Sequence, residues 1–362
     1  MTDAASSFPL NAWYAAAYDV EVGRSLLART ICNQKLVLYR QTDGQAVALQ
    51  DACWHRLLPL SLGRLEGDDV VCGYHGLVYN PQGQCVRMPS LQALNPSACV
   101  RSYPLLEKHR FIWLWMGDPA LADPSLVPDL HWNHDPAWAA DGKLITVKCD
   151  YRLVIDNLMD LTHETYVHGS SIGNEAVVEA PFHVTHDEQF VTVTRWMEGV
   201  EAPPFWASQM QHAHRYKGPV DRWQIIRFEA PCTVTIDVGV AKAASGALPN
   251  AGGDRSQGVN GYVLNTITPE TDGSCHYFWA FARNYALGEQ ALTHQLREGV
   301  TRIFREDEAI LEAQQQAMDD HPGMDFHNLN IDAGAVRARR LIDGQIAREL
   351  PDRPTIPIQV AA

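Results

Sequence analysis

Two cysteine–histidine pairs constrain this chain more than any other feature. Cys53-x-His55 and Cys72-x2-His75 stand sixteen residues apart in CWHRLLPLSLGRLEGDDVVCGYHG. Four such ligands admit three readings. Structural zinc sites use the same residue types but pair like with like, as C-x2-4-C and H-x3-5-H. Here each loop brings one Cys and one His. That suits a [2Fe–2S] cluster with Cys53 and Cys72 on one iron and His55 and His75 on the other, the imidazoles raising its reduction potential. The third reading leaves four metal-free side chains. The mixed pairs favour the cluster. Gly73 and Gly76 suit a loop that turns tightly and lets amides approach sulfur. The other cysteines (Cys32, Cys85, Cys99, Cys149, Cys232 and Cys275) have no ligand spacing and read as small core residues.

At 362 residues the chain exceeds one comfortable core, and two domains are expected. The net charge of −14 argues against a nucleic-acid partner. No apolar run approaches a membrane span, and MTDAASSFPLNAWY has no apolar leader core. With eight cysteines and no export signal, the expected location is the cytoplasm. The first third reads as strands, with hairpins around Asp43-Gly44 and Pro81–Gly83 and a fully buried strand in FIWLWMG. Pro119, Pro124 and Pro128 mark a boundary, giving domains 1–118 and 119–362. Beyond it, YRLVIDNLMDLTHETYVHG reads as one helix ending near Gly169. Strand-like runs follow (QFVTVTRWME, RWQIIRF, CTVTIDVGVA, HYFWAFARN), then a long helix from about Glu289 to Met318. The expected class is α+β: an all-β N-terminal domain, then a catalytic domain with an antiparallel sheet and flanking helices.

A second constellation explains the length. Asp160, His163 and His168 form D-x2-H-x4-H. At ~100° per residue, Asp156, Asp160 and His163 share a helix face, and His168 lies ~140° round from His163. Both histidines reach one metal only if the helix loosens near His168, where Gly169 is placed. Two histidines and one carboxylate form the facial triad of non-haem Fe(II) oxygenases. On the long helix the stripe Leu296, Val300, Ile303, Ile310, Leu311 has Asp307 near its centre, while Glu306, Glu308 and Glu312 fall off it. A buried carboxylate needs a metal or an ion-pair partner such as Arg302.

The pattern as a whole resembles the Rieske non-haem iron oxygenases, most closely the vanillate O-demethylase group of oxygenase components. The resemblance runs from NAWYAA through ICNQKLVLYR, LPLSLG, CGYHGL, CDYRLVIDNLMDLTHETYVHGSSIG, APPFW, VDRWQIIRF and ITPET to LNIDAGAVRARRLID. It implies Cys53, His55, Cys72 and His75 as ligands of a Rieske [2Fe–2S] cluster, and His163, His168 and Asp307 as ligands of a mononuclear Fe(II). It further implies Asp160 as an acidic bridge from an iron-ligand histidine to His75 of a neighbouring subunit, Asn157 close to the iron, and a head-to-tail homotrimer with electron transfer between subunits. The implied activity is O2-dependent O-demethylation of a methoxy-substituted, vanillate-like aromatic acid to a phenol and formaldehyde. Hydroxylation of another aromatic acid, or simple electron transfer, are the alternatives. NAD(P)H would act through a separate reductase with flavin and a ferredoxin-type cluster, since neither G-x-G-x-x-G after a strand nor C-x4-C-x2-C is present. One departure stands out: Trp54, Leu57 and Leu58 occupy places where the group more often has Pro, Gly and Ala. No spacing selects a substrate cation among Arg215, Arg222, Arg227, Arg283, His212 and His214, nor a pocket wall among Trp206, Trp223, Phe278 and Trp279.

Overall fold

A computed structural model describes residues 6–89 and 94–349. The first residues of the segment read as lacking a leader, and 350–362 of the expected second domain, lie outside that range. The N-terminal part is built from three small antiparallel sheets. One orders Trp13–Tyr18, Phe111–Trp115 and Leu105–Lys108; another orders Leu27–Ile31, Gln34–Arg40 and Ala46–Gln50. The third orders Arg64–Glu66, Asp69–Val71, Val78–Tyr79 and Cys85–Arg87. Both expected hairpins form: Arg40 pairs with Ala46 across a turn in which Gly44 takes φ +91, and Tyr79 pairs with Cys85. Gly83 takes φ +79, and a Cβ there would lie 2.1 Å from the Val100 carbonyl. Every residue of Phe111–Trp115 is buried, as an apolar run without alternation requires. Short 3-10 turns at Pro119–Leu121 and Pro124–Leu126, capped by Asp118 and Asp123, carry the chain onward.

The second part holds a seven-stranded antiparallel sheet. Its order is Ala139–Val147, Ser274–Arg283, Gly258–Thr271, Thr233–Lys242, Val220–Glu229, Phe190–Val200 and Phe182–His186. Strict alternation in Phe190–Val200 buries Val191, Val193, Arg195 and Met197 on one face. Among the described residues six helices accompany it: α1 (Tyr151–Met159), α2 (Glu164–Val167), α3 (Glu175–Glu179), α4 (Pro204–His214), α5 (Gln290–Asp320) and α6 (Ala333–Glu349). The edge strand Ala139–Val147, the long strand Gly258–Thr271, α4 and α6 carry too weak a period to be read from sequence. The long helix α5 matches its expected span, and its stripe buries Leu296, Val300, Ile303, Phe304, Asp307 and Leu311. Ile310 does not belong to the stripe; it faces solvent.

The single helix expected to run to Gly169 is not formed. The chain breaks at Asp160, whose backbone is extended (φ −130, ψ 105), before a 3-10 turn at Leu161–His163 and then α2. Asp160 makes the break favourable, because its Oδ1 accepts from the Thr162 N–H at 3.0 Å and the Thr162 hydroxyl at 2.6 Å. The predicted common face of Asp156, Asp160 and His163 is therefore lost. Asp156 instead pairs with Arg339 of α6.

Candidate functional site

The first Cys–His pair follows Ala46–Gln50, and the second joins Asp69–Val71 to Val78–Tyr79. The two loops share one hydrogen-bond pattern. The Cys53 N–H donates to the Leu58 carbonyl and the Leu57 N–H to the Cys53 carbonyl, both at 2.9 Å. In the second loop the Cys72 N–H donates to the Leu77 carbonyl at 2.8 Å and the Gly76 N–H to the Cys72 carbonyl at 3.1 Å. Equivalent positions in the two loops are thus Leu57, at φ +59, and Gly76, at φ +70. Both thiols are 2% exposed, whereas His55 and His75 stand at the surface with rings 4.6 Å apart. Burial pushes the Cys72 thiol up, and the Tyr74 and His75 N–H groups facing the sulfur pull it back. Tyr79 places its hydroxyl 3.2 Å from the Cys53 sulfur while accepting the Trp54 N–H at 3.1 Å. Burial holds that phenol protonated, so it donates to the sulfur. Buried thiolates served by donors and exposed imidazoles at one tip fit a mixed-ligand [2Fe–2S] cluster.

The second centre gathers where the Asp160 break meets α5. His163, His168 and Asp307 each offer a ligand atom, all within 4.8 Å of one another. Asp307 Oδ1 lies 3.4 Å from His163 Nε2 and 3.0 Å from His168 Nε2. These are spacings for atoms sharing one ion at roughly 2.1 Å each. Burial alone would raise the Asp307 carboxyl, but the two imidazoles outweigh it and bring it down to about 2. Burial likewise disfavours charge on His163 and His168, and the Asp307 carboxylate overcomes it and raises both. The pocket thus favours positive charge where the three side chains converge, and their donor set fits iron(II).

The partners of the triad hold it in place. His163 donates from Nδ1 to the Asp160 main-chain carbonyl at 2.7 Å, so the link expected from the Asp160 carboxylate runs through its backbone. That carboxylate is held by Thr162 and lies 3.8 Å from Arg195. His168 donates from Nδ1 to Glu306 Oε2 at 2.6 Å. Asn157, on α1, donates to Asp307 Oδ1 at 3.2 Å and faces His163 Nε2 at 3.4 Å. Among the described residues Asp307 makes no ion pair with Arg302, the alternative partner considered from sequence; both histidines and Asn157 take that place. Glu306 and Tyr79 were not anticipated. Glu306 is off the buried stripe, and its one signal is adjacency to Asp307.

The triad opens on an apolar cavity walled by Leu158, Leu161, Ile172, Phe205, Trp206, Ile236, Val238, Val263, Phe281, Val300, Ile303 and Phe304, with Asn157, Glu164 and Arg222 as further polar groups. Of the candidate cations Arg222 reaches this cavity; Arg227 stacks over Phe190, Arg283 bonds Thr293, and His212 pairs with Glu289. Among the aromatic candidates Trp206 lines it, while Trp223, Phe278 and Trp279 pack into the core.

Comparison with known proteins decides the family. Residues 12–104 match the Rieske [2Fe-2S] domain, and residues 147–348 match the vanillate O-demethylase oxygenase C-terminal domain. This chain belongs to the Rieske non-haem iron oxygenases of the vanillate O-demethylase group. It is 45% identical over 343 residues to the vanillate O-demethylase oxygenase subunit of a Pseudomonas species (strain HR199), covering 94% of this chain and 96% of that one. It is 37% identical to a putative toluene-4-sulfonate monooxygenase iron-sulfur subunit of Comamonas testosteroni, covering 94% and 97%. The crystal structure of dicamba monooxygenase with non-haem iron and dicamba superposes with TM-score 0.80 at 34% identity, covering 95% of this chain and 98% of that one. This oxygenase is therefore an enzyme component with a Rieske cluster domain and a mononuclear iron domain.

Proposed function

We propose that this oxygenase removes the O-methyl group of a methoxy-substituted aromatic acid. The observation that carries the reading is the triad's placement in the wall of an apolar cavity in a chain so similar to a vanillate O-demethylase oxygenase. When bound, the cluster supplies electrons and the mononuclear iron activates O2 toward a C–H bond. Overall, the aryl methyl ether, O2, NAD(P)H and a proton become the phenol, formaldehyde, water and NAD(P)+. The protein's own part is positional. His163 and His168 are oriented by the Asp160 carbonyl and by Glu306, and Asn157 steadies the Asp307 carboxylate. The aliphatic and aromatic walls give the reacting carbon an apolar surround.

The same reading assigns Cys53, His55, Cys72 and His75 to the cluster, His163, His168 and Asp307 to the iron, and supporting roles to Asp160 and Asn157. It divides the chain at residues 118 and 119, between the two matched segments. It also takes a separate reductase as electron donor, a cytoplasmic location, and a homotrimer in which one subunit's cluster reduces the next subunit's iron. The surface around His55 and His75 supports the trimer: Trp54 is 42% exposed and Tyr74 63%, an apolar rim suited to burial against a neighbour. Among the described residues no helix is long and apolar enough to cross a membrane. The test is purified oxygenase with reductase and NAD(P)H on a panel of methoxybenzoates. Formaldehyde and phenol in equal amounts are expected. No formaldehyde from any of them overturns the reading.

A further inference from the structure

The cavity at the triad is too small for the molecule it has to hold. Its volume is about 70 Å³, whereas small-molecule pockets run to about 300–1,000 Å³. Some part of the wall has to move. The strands that supply Arg222, Ile236, Val238, Val263 and Phe281 are each paired on both sides in the seven-stranded sheet. The helices α1 and α5 carry Asn157 and Asp307, so displacing either would take the triad apart. The remaining helix of the wall, α4, is placed differently. Its Phe205 and Trp206 wall the cavity, while its Ala207, Ser208, Met210 and Gln211 line a separate cleft of about 630 Å³. The helix thus stands between the iron cavity and open space of ligand size.

A few polar contacts hold α4 in place. The Tyr285 hydroxyl donates to Gln209 Oε1 at 3.0 Å, and Gln209 is 4% exposed. His212 pairs with Glu289 at 2.9 Å and His214 Nε2 donates to the Gly258 carbonyl at 2.8 Å, both at the surface, where such contacts contribute little. The Phe205 N–H donates to the Ser171 carbonyl at 3.0 Å, which ties the segment of Ile172, another cavity wall, to the helix so that the two can travel together. Chain reversals at Gly199 (φ +61) and Arg215 (φ +54) bracket α4, and such element-end positions absorb a change of direction. We propose that α4 is the substrate gate of the iron cavity: it moves outward into the cleft to admit the aromatic acid, and the Tyr285–Gln209 hydrogen bond latches it shut. This rests on the O-demethylation reading for its substrate and makes Tyr285 and Gln209 positioning residues that govern entry.

The test is stopped-flow binding of 4-hydroxy-3-methoxybenzoate to the holoenzyme without oxygen, followed by the fluorescence of the acid. Tyr285→Phe removes only the latching hydroxyl and should raise the association and dissociation rate constants together, about 3- to 10-fold, the weight of one hydrogen bond. Ala207→Trp fills the cleft behind α4 and should lower both by about tenfold or more. In each variant Kd should stay within about twofold of wild type, because a gate alters entry and exit alike. A residue that merely shapes the cavity would change Kd through dissociation alone. Iron and cluster content show that both centres are intact in each variant. Unchanged rates in Ala207→Trp overturn the gate, unchanged rates in Tyr285→Phe overturn its latch, and a Kd shift carried by dissociation alone makes α4 a fixed wall. Formaldehyde release by wild type shows that O-demethylation stands in each of those cases. Wild type that neither binds nor demethylates a methoxybenzoate overturns O-demethylation itself, and this inference with it.

Discussion

His168 points both ring nitrogens at carboxylates: Nδ1 donates to Glu306 at 2.6 Å, and Nε2 lies 3.0 Å from Asp307. The two acids are neighbours on α5 but act differently. Asp307 is buried at the centre of the stripe, while Glu306 reaches in from its half-exposed edge. A carboxylate behind an imidazole fixes the tautomer and makes Nε2 a better metal ligand. His163, by contrast, has a neutral carbonyl behind it.

Glu306→Gln is therefore expected to weaken mononuclear iron binding about 10- to 100-fold while leaving the cluster spectrum unchanged. Iron titration of the protein stripped of mononuclear iron measures it. Unaltered affinity would show that Glu306 does not orient the ligand.

Leu57 takes the left-handed conformation that Gly76 takes in the matching loop, and its side chain is exposed. The conformation costs a residue with a Cβ about 1–2 kcal/mol, and glycine's greater freedom in the unfolded chain returns part of that. Leu57→Gly should stabilise the cluster domain by roughly 1 kcal/mol, read as a higher Tm of the holoprotein. A lower Tm would mean that Leu57 packs against a neighbouring subunit.

His109 gives a pH signature away from both metals. Burial, helped by Lys108, His134 and His131 and opposed by Asp129, takes its ring down to about 4 from 6.5. The folded state keeps it neutral while the unfolded chain takes up a proton. Stability contributed by this group is full above pH 6.5 and is lost as pH falls toward about 4, on the order of 3 kcal/mol in all. His109→Asn, which tolerates the positive φ of this position, should narrow its Tm deficit against wild type between pH 7.5 and 5. A deficit constant across that range would remove His109 as the cause.

The proposed electron transfer between subunits predicts complementation. A Cys53→Ala chain lacks the cluster and an Asp307→Ala chain lacks the iron, and each alone should be inactive. Co-expressed as mixed oligomers they should recover a measurable fraction of wild-type formaldehyde release. Inactivity of mixed oligomers shown to contain both chains would confine electron transfer to a single chain.

What the sequence made legible was local. The Cys–His loops announce themselves because two cysteines, two histidines and their glycines lie within one short stretch. Asp307 stands out because a helical period is regular enough to show a carboxylate where an aliphatic residue belongs. The break at Asp160 was hidden, since its side chain caps the next turn in competition with continuing the helix. Glu306 was hidden for another reason. Its meaning lies in a contact made 138 residues away, which no period or spacing encodes.

The most direct test of the two-centre account is metal analysis of Asp307→Ala beside wild type, both purified without oxygen. Iron and acid-labile sulfide are counted, and EPR is recorded on the reduced proteins. Wild type should carry the two irons and two sulfides of a mixed-ligand cluster plus one further iron. The variant should lose that further iron and keep the cluster signal unchanged. A variant that retains all its iron would contradict the triad, and colourless wild-type protein holding zinc would contradict both centres.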